Sequence, residues 1–231
     1  MGIVLNARQR ARALVIADIV AEARRQLTTE GAAALSLRAV ARELGMASSA
    51  MYRYVSSRDE LLTILIVEAY DALGEVAEAA AATEGDALQR WRRVCGATRG
   101  WALDHPQEYA LIYGSPVPAY HAPEATVGPA SRVTLVLAGL LQEAHRTGSL
   151  RAPRDEPLSA ALVTEIHQLA RTAAPDVPVP TIARALVAWA LLFGQISFEL
   201  FGRFEGVIQD TEALFDQAVM VMADLVGMTR D

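Results

Sequence analysis

Residues 35–62 are LSLRAVARELGMASSAMYRYVSSRDELL, and this stretch decides the fold. Apolar residues at helical spacing from Leu37 to Leu44 predict a short amphipathic helix. Gly45 follows it, and glycine adopts the left-handed backbone of a tight turn at little steric cost. A second short helix is predicted over residues 48–54. Two short helices joined in this way, with the small residue Ala41 four positions before Gly45, predict a helix-turn-helix. The same spacing of small residues also occurs where two helices simply pack together.

The second helix has one apolar and one polar face. Met46 and Met51 are expected to hold it against a core. Hydroxyl and guanidinium groups of the kind that bind phosphates and base edges are expected on the exposed face. That face carries Ser48, Ser49, Tyr52 and Arg53.

The flanking residues support a DNA-binding interpretation. Ser36 is predicted as the N-cap of the first short helix, and Arg38 is expected to point away from the apolar stripe. Residues 57–60, SRDE, match a capping box for the next helix. Because Arg58 opposes that helix's dipole, a DNA phosphate is a suitable partner for it, with a solvated side chain as the alternative. Three arginines before the first apolar stripe predict an arm along DNA: Arg8, Arg10 and Arg12.

Charge is distributed unevenly along the chain. All 21 cationic residues are arginine, and the formal net charge is −6. Residues 1–58 contain nine arginines and four acidic residues and so carry +5, which leaves −11 for the remainder. This asymmetry indicates a basic module that meets a polyanion and an acidic body that does not, with chance scatter of surface arginines as the alternative.

The rest of the chain is predicted to be helical. Apolar stripes and Gly or Pro punctuation predict helices to about residue 105, from Pro106, and over 126–147, 156–174, 181–204 and 209–226. Residues 114–123, GSPVPAYHAP, predict a loop.

Composition favours a soluble, cytoplasmic protein. Cys95 is the only cysteine, which excludes an intramolecular disulfide framework and is typical of a reducing compartment. No signal-peptide pattern opens the sequence, and the uninterrupted apolar runs are shorter than the ~18 residues that a membrane span needs. We therefore expect no membrane association.

Residues 16–62 resemble the DNA-binding domain of the TetR family of transcriptional regulators. The segment MYRYVSSRDELL at 51–62 is similar to the family's Leu-Tyr-x-His/Tyr-Phe/Val-x-x-Lys-x-x-Leu signature. The resemblance implies an all-α protein of about nine to ten helices. Residues 1–60 would form a three-helix, helix-turn-helix DNA-binding domain, and residues 61–231 a helical ligand-binding and dimerisation domain. DNA contacts are implied for Ser36, Arg38, Ser48, Ser49, Ala50, Tyr52, Arg53, Tyr54 and Arg58, the last standing where the family usually has lysine.

The resemblance also implies a homodimer on double-stranded operator DNA, with recognition helices roughly 34–36 Å apart. The penultimate and last helices would form the interface, through Trp189, Ile196, Leu200, Phe215, Val219 and Met222. Residues 189–204 are similar to the Trp-His-Gly type of C-terminal domain, except that Phe193 stands at the histidine position. A monomer core is the alternative explanation for this apolar surface.

An unknown small-molecule effector is the other implied partner. Aromatic and polar residues are expected to line its pocket: Trp101, His105, Tyr109, Tyr113, His121 and Phe193. Ordinary core packing is the alternative for these aromatic residues. In the family, ligand binding shifts the fourth helix, here about residues 61–82, and weakens operator binding.

Two other classes of function compete with a ligand-released repressor. For an enzyme we find neither histidines at metal-binding spacing nor a glycine-rich phosphate loop or nucleophile elbow, and Cys95 lies in an apolar helix. No cofactor, metal or catalytic residue is therefore predicted. A DNA-binding architectural protein without a ligand would differ by showing no ligand-induced loss of operator affinity, and an activator role stays open.

Overall fold

The computed structural model describes residues 6–151 and 157–228, and these residues form ten α-helices. The all-α prediction is confirmed, since the described ranges contain no strand and only an isolated antiparallel bridge between Leu150 and Met228. Two short 3-10 segments lie at Ala32–Ala34 and Glu124–Thr126.

The helices agree with the predicted segments to within a few residues at most ends. Residue 156, where the prediction began the eighth helix, lies outside the described residues. In chain order the helices are α1 Ala7–Glu30, α2 Leu37–Glu43, α3 Ser48–Met51, α4 Arg58–Ala81, α5 Ala87–Asp104, α6 Pro106–Tyr113, α7 Val127–Arg146, α8 Ala160–Ala173, α9 Val179–Leu200 and α10 Thr211–Val226.

The chain divides into two compact units. The first contains the described residues up to Tyr70 together with His105–Pro129. The second contains Asp71–Asp104 and the described residues from Ala130 onward. The predicted division after residue 60 therefore differs from the observed units in where α4 and α6 belong.

Burial explains why the start of α4 lies with the N-terminal helices. Leu61, Leu62 and Leu65 are buried in one hydrophobic cluster with the apolar faces of α1 and α2. Leu111 of α6 joins the same cluster. Sequence periodicity marks these residues as apolar but does not indicate which unit they pack into, so the boundary could not be placed from the pattern alone.

Helix α1 begins much earlier than its apolar stripe. Asn6 caps it in a capping box, in which the Asn6 side chain accepts from the backbone N–H of Gln9 and the Gln9 side chain accepts from that of Asn6. Arg8, Arg10 and Arg12 consequently lie in the first turns of a helix. The predicted arm is therefore part of a helix, because the cap starts α1 before any residue with a core contact, and its contact with DNA stays a prediction.

The second unit is held together by α9, which packs against α8, α10 and α5. Its face carrying Ala188, Leu192 and Ile196 is buried. An ion pair joins α9 to α5: the guanidinium of Arg99 donates two hydrogen bonds to the Glu199 carboxylate, at 2.7 and 2.6 Å. The same guanidinium lies over the ring of Phe215 on α10, 5.2 Å from its centroid.

Helix α9 is the one described helix that is long and apolar enough to cross a membrane by length and composition. The sequence did not indicate this property, because the uninterrupted apolar runs within the helix are short. Apolar residues on most sides are equally typical of a helix that packs against several neighbours. Its three packing partners account for the buried face, and the remaining apolar residues form an exposed stripe that is described below.

Candidate nucleic-acid interface and ligand cavity

The predicted helix-turn-helix is present. Ser36 caps α2, its hydroxyl accepting from the backbone N–H of Ala39 at 3.4 Å. Gly45 has φ of +63°, the left-handed conformation for which glycine is suited. Ala41 of α2 is buried, and Met51 and Val55 are fully buried. Local sequence therefore sets both the turn and the apolar face that holds α3 in place.

The polar side chains of α3 and of the turn after it are accessible to solvent. Ser48 and Ser49 of α3 and Tyr52 and Arg53 of the turn are exposed, whereas Ala50 is half-buried. Half of the Tyr52 side chain is accessible. Arg38 is also exposed, in the first turn of α2. The residues predicted to contact DNA on this face are thus displayed together on the first unit.

Helix α3 is shorter than predicted. Its α-helical part ends at Met51, and Tyr52 to Tyr54 continue as a turn in which the backbone N–H of Tyr54 bonds to the oxygen of Met51, at 2.9 Å. The exposed guanidinium of Arg12 donates to the backbone oxygen of Arg53 at 2.9 Å and lies over the Tyr54 ring, 5.6 Å from its centroid. Arg12 thus holds the segment that follows α3.

Arg58 has protein partners that the sequence did not reveal. Its guanidinium donates to the backbone oxygens of Leu35, Ala32 and Ala33 at 3.1, 2.9 and 3.2 Å. These carbonyl groups belong to the 3-10 segment before α2 and to the residue that ends that segment. About 30% of the Arg58 side chain remains accessible. Arg58 therefore fixes the approach to α2, besides being available at the surface.

The predicted capping box at α4 is present in altered form. The Ser57 hydroxyl accepts from the backbone N–H of Glu60, at 3.0 Å, as expected. The Glu60 carboxylate instead accepts from the backbone N–H and hydroxyl of Ser56, both at 2.6 Å. These Ser56 hydrogen bonds lower the pKa of Glu60. In a regular capping box the Glu60 side chain would accept from the backbone N–H of Ser57. Here it accepts from Ser56, one residue earlier.

A polar depression collects several of the predicted DNA-binding residues. Its volume is about 480 Å³. Serine hydroxyls, a phenol and two guanidinium groups belong to its lining side chains, which is suitable chemistry for phosphate oxygens. The lining residues are Leu35, Ser36, Leu37, Arg38, Tyr52, Ser56, Ser57 and Arg58.

The +5 charge of the N-terminal segment is not all available to a partner. Arg24 pairs with Glu68, Arg25 with Glu22, and Arg42 with Glu43. In the part of the chain that the structure describes, the guanidinium groups of Arg38 and Arg53 form no ion pair. These two arginines therefore present unpaired cations beside α3. A count of charges along the sequence could not separate them from the arginines that form ion pairs.

The second unit contains an apolar cavity of about 130 Å³. Helices α5, α7, α8 and α9 contribute to it, and sequence reasoning missed it because its walls come from segments far apart in the chain. Trp91 is buried in its wall, and the indole Nε1 has no hydrogen-bond partner among the described residues. The lining is Trp91, Ser131, Thr134, Leu135, Leu137, Ala138, Leu141, Leu169, Ala170, Ala173, Ala174, Ile182, Ala185, Leu186 and Trp189.

None of the six predicted ligand-binding residues lines this cavity. Some of the six lie in the first unit and the others in the second. Trp101 and Phe193 are buried in the second unit. In the first unit, Tyr113 packs its ring against Tyr109 and Tyr70, with centroids 5.2 and 6.0 Å apart. His105 and His121 are exposed. Their assignment to an effector pocket stays a prediction.

Most of the predicted dimer residues are buried within the chain itself. Ile196, Phe215, Val219 and Met222 are at most 2% accessible, because α9 and α10 pack against each other. Leu200 is half-buried, and Trp189, which lines the cavity, is 37% accessible. The accessible apolar residues of these helices are instead Val187, Leu191, Phe198 and Val221, with Phe201 following α9.

Two features of the described residues bear on the alternative of an enzyme. Cys95 is fully buried, and burial raises the pKa of its thiol, which keeps the thiol protonated. No group of three or more His, Cys, Asp or Glu residues in the described ranges could hold a metal ion.

Comparison with known proteins agrees with this architecture. Residues 19–63 match the family model described as bacterial regulatory proteins, tetR family, and residues 91–222 match the tetracyclin repressor-like C-terminal domain. The HTH-type transcriptional regulators Rv1816 of Mycobacterium tuberculosis and Mb1846 of Mycobacterium bovis are each 40% identical over 229 residues, 95% of this chain and 95% of each relative.

Solved structures agree as well. The crystal structure of the regulatory protein SCO4313 is 35% identical, with a TM-score of 0.77 over 95% of this chain and 100% of that one. The TetR family transcriptional regulator PfmR from Thermus thermophilus shares the fold at 19% identity, with a TM-score of 0.61 over 92% of this chain and 99% of that one. The chain therefore belongs to the TetR family and is a DNA-binding transcriptional regulator.

Proposed function

We propose that this regulator is a repressor that binds a pseudo-palindromic operator as a homodimer and is released by a small molecule. The DNA-binding part rests on the exposed polar surface of α2, α3 and the turn after α3, where Arg38 and Arg53 have no acidic partner among the described residues. Unpaired cations beside hydroxyl groups are suited to phosphate and base contacts, since no ion pair must first be broken.

Specific roles follow from where each side chain lies. Arg38 and Arg53 are the candidates for base contacts, because arginine binds guanine in a bidentate manner. Arg58 is the candidate for a phosphate, since part of its side chain is accessible beside the polar depression. The remaining proposed contacts are Ser36, Ser48, Ser49, Ala50, Tyr52 and Tyr54.

Exposed apolar residues support the homodimer. Val187, Leu191 and Phe198 are about half accessible and follow helical spacing along one face of α9. On α10, Val221 is similarly exposed. A row of exposed apolar residues along one helix face is typical of an interface, and a two-fold pairing of two such rows would shield both from water. Light scattering at micromolar concentration should give twice the chain mass, and a monomer would contradict this part of the proposal.

The cavity in the second unit supports the response to a small molecule. Its walls are formed by four helices, so that a molecule bound there could alter how those helices pack. The competing interpretation is an architectural DNA-binding protein without an effector. The two interpretations differ in one observable, the change of operator affinity when a ligand is bound.

Footprinting on DNA that flanks the protein's own gene tests the proposal. We expect protection of two half-sites about one helical turn apart. Repeating the footprint with candidate small molecules should weaken protection for an effector, by about 5–150-fold in affinity for a coupling of 1–3 kcal/mol. Protection of arbitrary DNA to the same extent would contradict operator recognition. Reporter expression then distinguishes a repressor from an activator.

A further inference from the structure

The cavity among α5, α7, α8 and α9 has an almost entirely apolar lining. None of the fifteen lining residues in the described part of the chain has an ionisable side chain. Leucine, isoleucine, alanine and two tryptophans form most of the wall. The polar groups on the lining side chains are neutral: the hydroxyls of Ser131 and Thr134 and the indole N–H groups of Trp91 and Trp189.

This chemistry limits what the cavity can hold. A carboxylate or an ammonium group would lose its hydration there without gaining an oppositely charged partner, which is strongly unfavourable. An apolar molecule gains by leaving water, and apolar cavities of roughly 150 Å³ stay dry and bind benzene. At about 130 Å³ the present cavity is of that size.

The rim of the cavity is partly open. Leu135, Leu169 and Trp189 line it and are 46, 50 and 37% accessible. Trp91, by contrast, is 2% accessible and lies within the wall. A molecule could therefore enter past the three exposed side chains and extend beyond them.

We propose that the cavity binds an uncharged, predominantly hydrocarbon molecule whose enclosed part is about the size of a benzene ring. The proposal rests on the ligand response put forward above and specifies the chemical class of the effector. Aromatic and aliphatic molecules both satisfy it, whereas anionic and cationic molecules do not.

The experiment compares toluene with benzoate, which have rings of the same size but differ in charge. Trp91 and Trp189 are two of the chain's three tryptophans, so tryptophan fluorescence of the full-length protein reports binding in the cavity. We expect toluene to change the fluorescence saturably and benzoate to bind at least about tenfold more weakly. Equal binding of the two probes would overturn the proposal.

Cavity-filling variants show where toluene binds. Ala138→Leu and Ala170→Leu each add three carbon atoms to a lining residue, and each should weaken toluene binding by about tenfold or more, because a filled cavity has no room for the ring. Ala161→Leu makes the same change at an exposed position of α8 that does not line the cavity and should leave binding unchanged. If one lining variant unfolds, as judged by circular dichroism, the other still provides the test. Undiminished toluene binding in a folded lining variant would overturn the assignment.

Operator affinity separates this inference from the function on which it rests. Toluene that binds in the cavity and weakens operator binding supports both. Toluene that binds there without altering operator affinity supports the chemistry of the cavity and contradicts its role as the effector site. Release of the operator by a charged molecule that does not compete with toluene would leave the repressor function standing and overturn the proposed class of effector.

Discussion

The guanidinium of Arg12 donates a hydrogen bond to the backbone oxygen of Arg53, joining the start of α1 to the turn after the recognition helix. The two residues are 41 positions apart, and the distance between the bonded atoms is 2.9 Å. Because α3 is only four residues long, it has few hydrogen bonds of its own. The position of the turn after α3 therefore depends on this contact and on the stacking of Arg12 over Tyr54.

Replacing Arg12 by alanine should weaken operator binding without removing a residue of the proposed recognition surface. We expect a loss of about fivefold, or ~1 kcal/mol, which is typical of the net contribution of one intramolecular hydrogen bond. Arg8→Ala is the matched control, since it removes the same charge from the same helix. Fluorescence anisotropy with operator DNA should separate the two variants at constant salt. Equal losses would show that Arg12 acts through its charge alone.

Arg38 should contribute to sequence specificity. It is exposed and has no ion-pair partner among the described residues, so its guanidinium can meet a base edge directly. Arg38→Ala should cost roughly 1–3 kcal/mol on the operator and relax the preference at one base pair. Binding to a set of single-base operator variants measures this. A loss of equal size on every sequence, random DNA included, would indicate a phosphate contact instead.

Arg58 should have two separable roles, in folding and in DNA binding. Arg58→Ala removes the donor to three backbone carbonyl groups and should lower the free energy of unfolding by about 1 kcal/mol. It should also reduce the slope of log affinity against log salt by about 1, if the residue neutralises one phosphate. The first effect follows from the observed hydrogen bonds, and the second tests the proposed contact.

Arg58→Lys is the informative companion, because it retains the charge but replaces the guanidinium, whose Nε and Nη2 reach different carbonyl groups, by a single ammonium nitrogen. Its salt slope should match that of the unaltered protein, while its thermal stability should fall towards that of Arg58→Ala. A lysine variant with full stability would mean that the carbonyl contacts contribute little. An alanine variant with an unchanged salt slope would remove Arg58 from the set of phosphate contacts.

The acid sensitivity of the second unit should depend in part on Glu199. Hydrogen bonding from Arg99 lowers the pKa of this carboxyl below its ordinary value. A carboxyl with a lowered folded-state pKa stabilises the protein above its unfolded pKa, about 4.3, and loses that contribution as the pH falls through the folded-state value. Glu199→Gln should therefore be less stable at pH 7, by about 1–3 kcal/mol, because Arg99 loses a charged acceptor.

The same variant should lose less stability than the unaltered protein on acidification below pH ~4.3. Urea unfolding at pH 7 and at a series of acidic values measures both effects. Glu205→Gln, an exposed position in the turn after α9, is the control and should alter neither. Parallel pH dependence for the unaltered protein and Glu199→Gln would show that this pair does not govern acid stability.

Local features could be predicted from the sequence, and long-range ones could not. The turn at Gly45, the cap at Ser36 and the loop after α6 are determined by nearby residues, and the structure confirms them. The family signature is local as well. The cavity, the Arg12 contact and the carbonyl partners of Arg58 bring together segments far apart in the chain, and no helical periodicity encodes which segments meet.

The two faces of α9 illustrate the same limit. The predicted dimer interface includes Ile196 and omits Phe198, yet Ile196 is fully buried while Phe198, two positions later, is 55% accessible. Positions two apart on a helix lie on different sides. The apolar pattern therefore identified the helix correctly and left open which side packs within the chain.

A charge introduced at Phe198 should dissociate the proposed dimer. Phe198→Glu places a carboxylate in the exposed apolar stripe of α9, where it is solvated in a monomer and desolvated in the proposed dimer. We expect dissociation to become easier by about 30-fold or more, the loss of one interface hot spot of about 2 kcal/mol. Val207→Glu is the matched control, since Val207 is 75% accessible outside the helices. Light scattering over a dilution series should show a monomer for Phe198→Glu alone, with operator binding weakened because one half-site no longer assists the other. A dimer that persists in a folded Phe198→Glu variant would require a different interface.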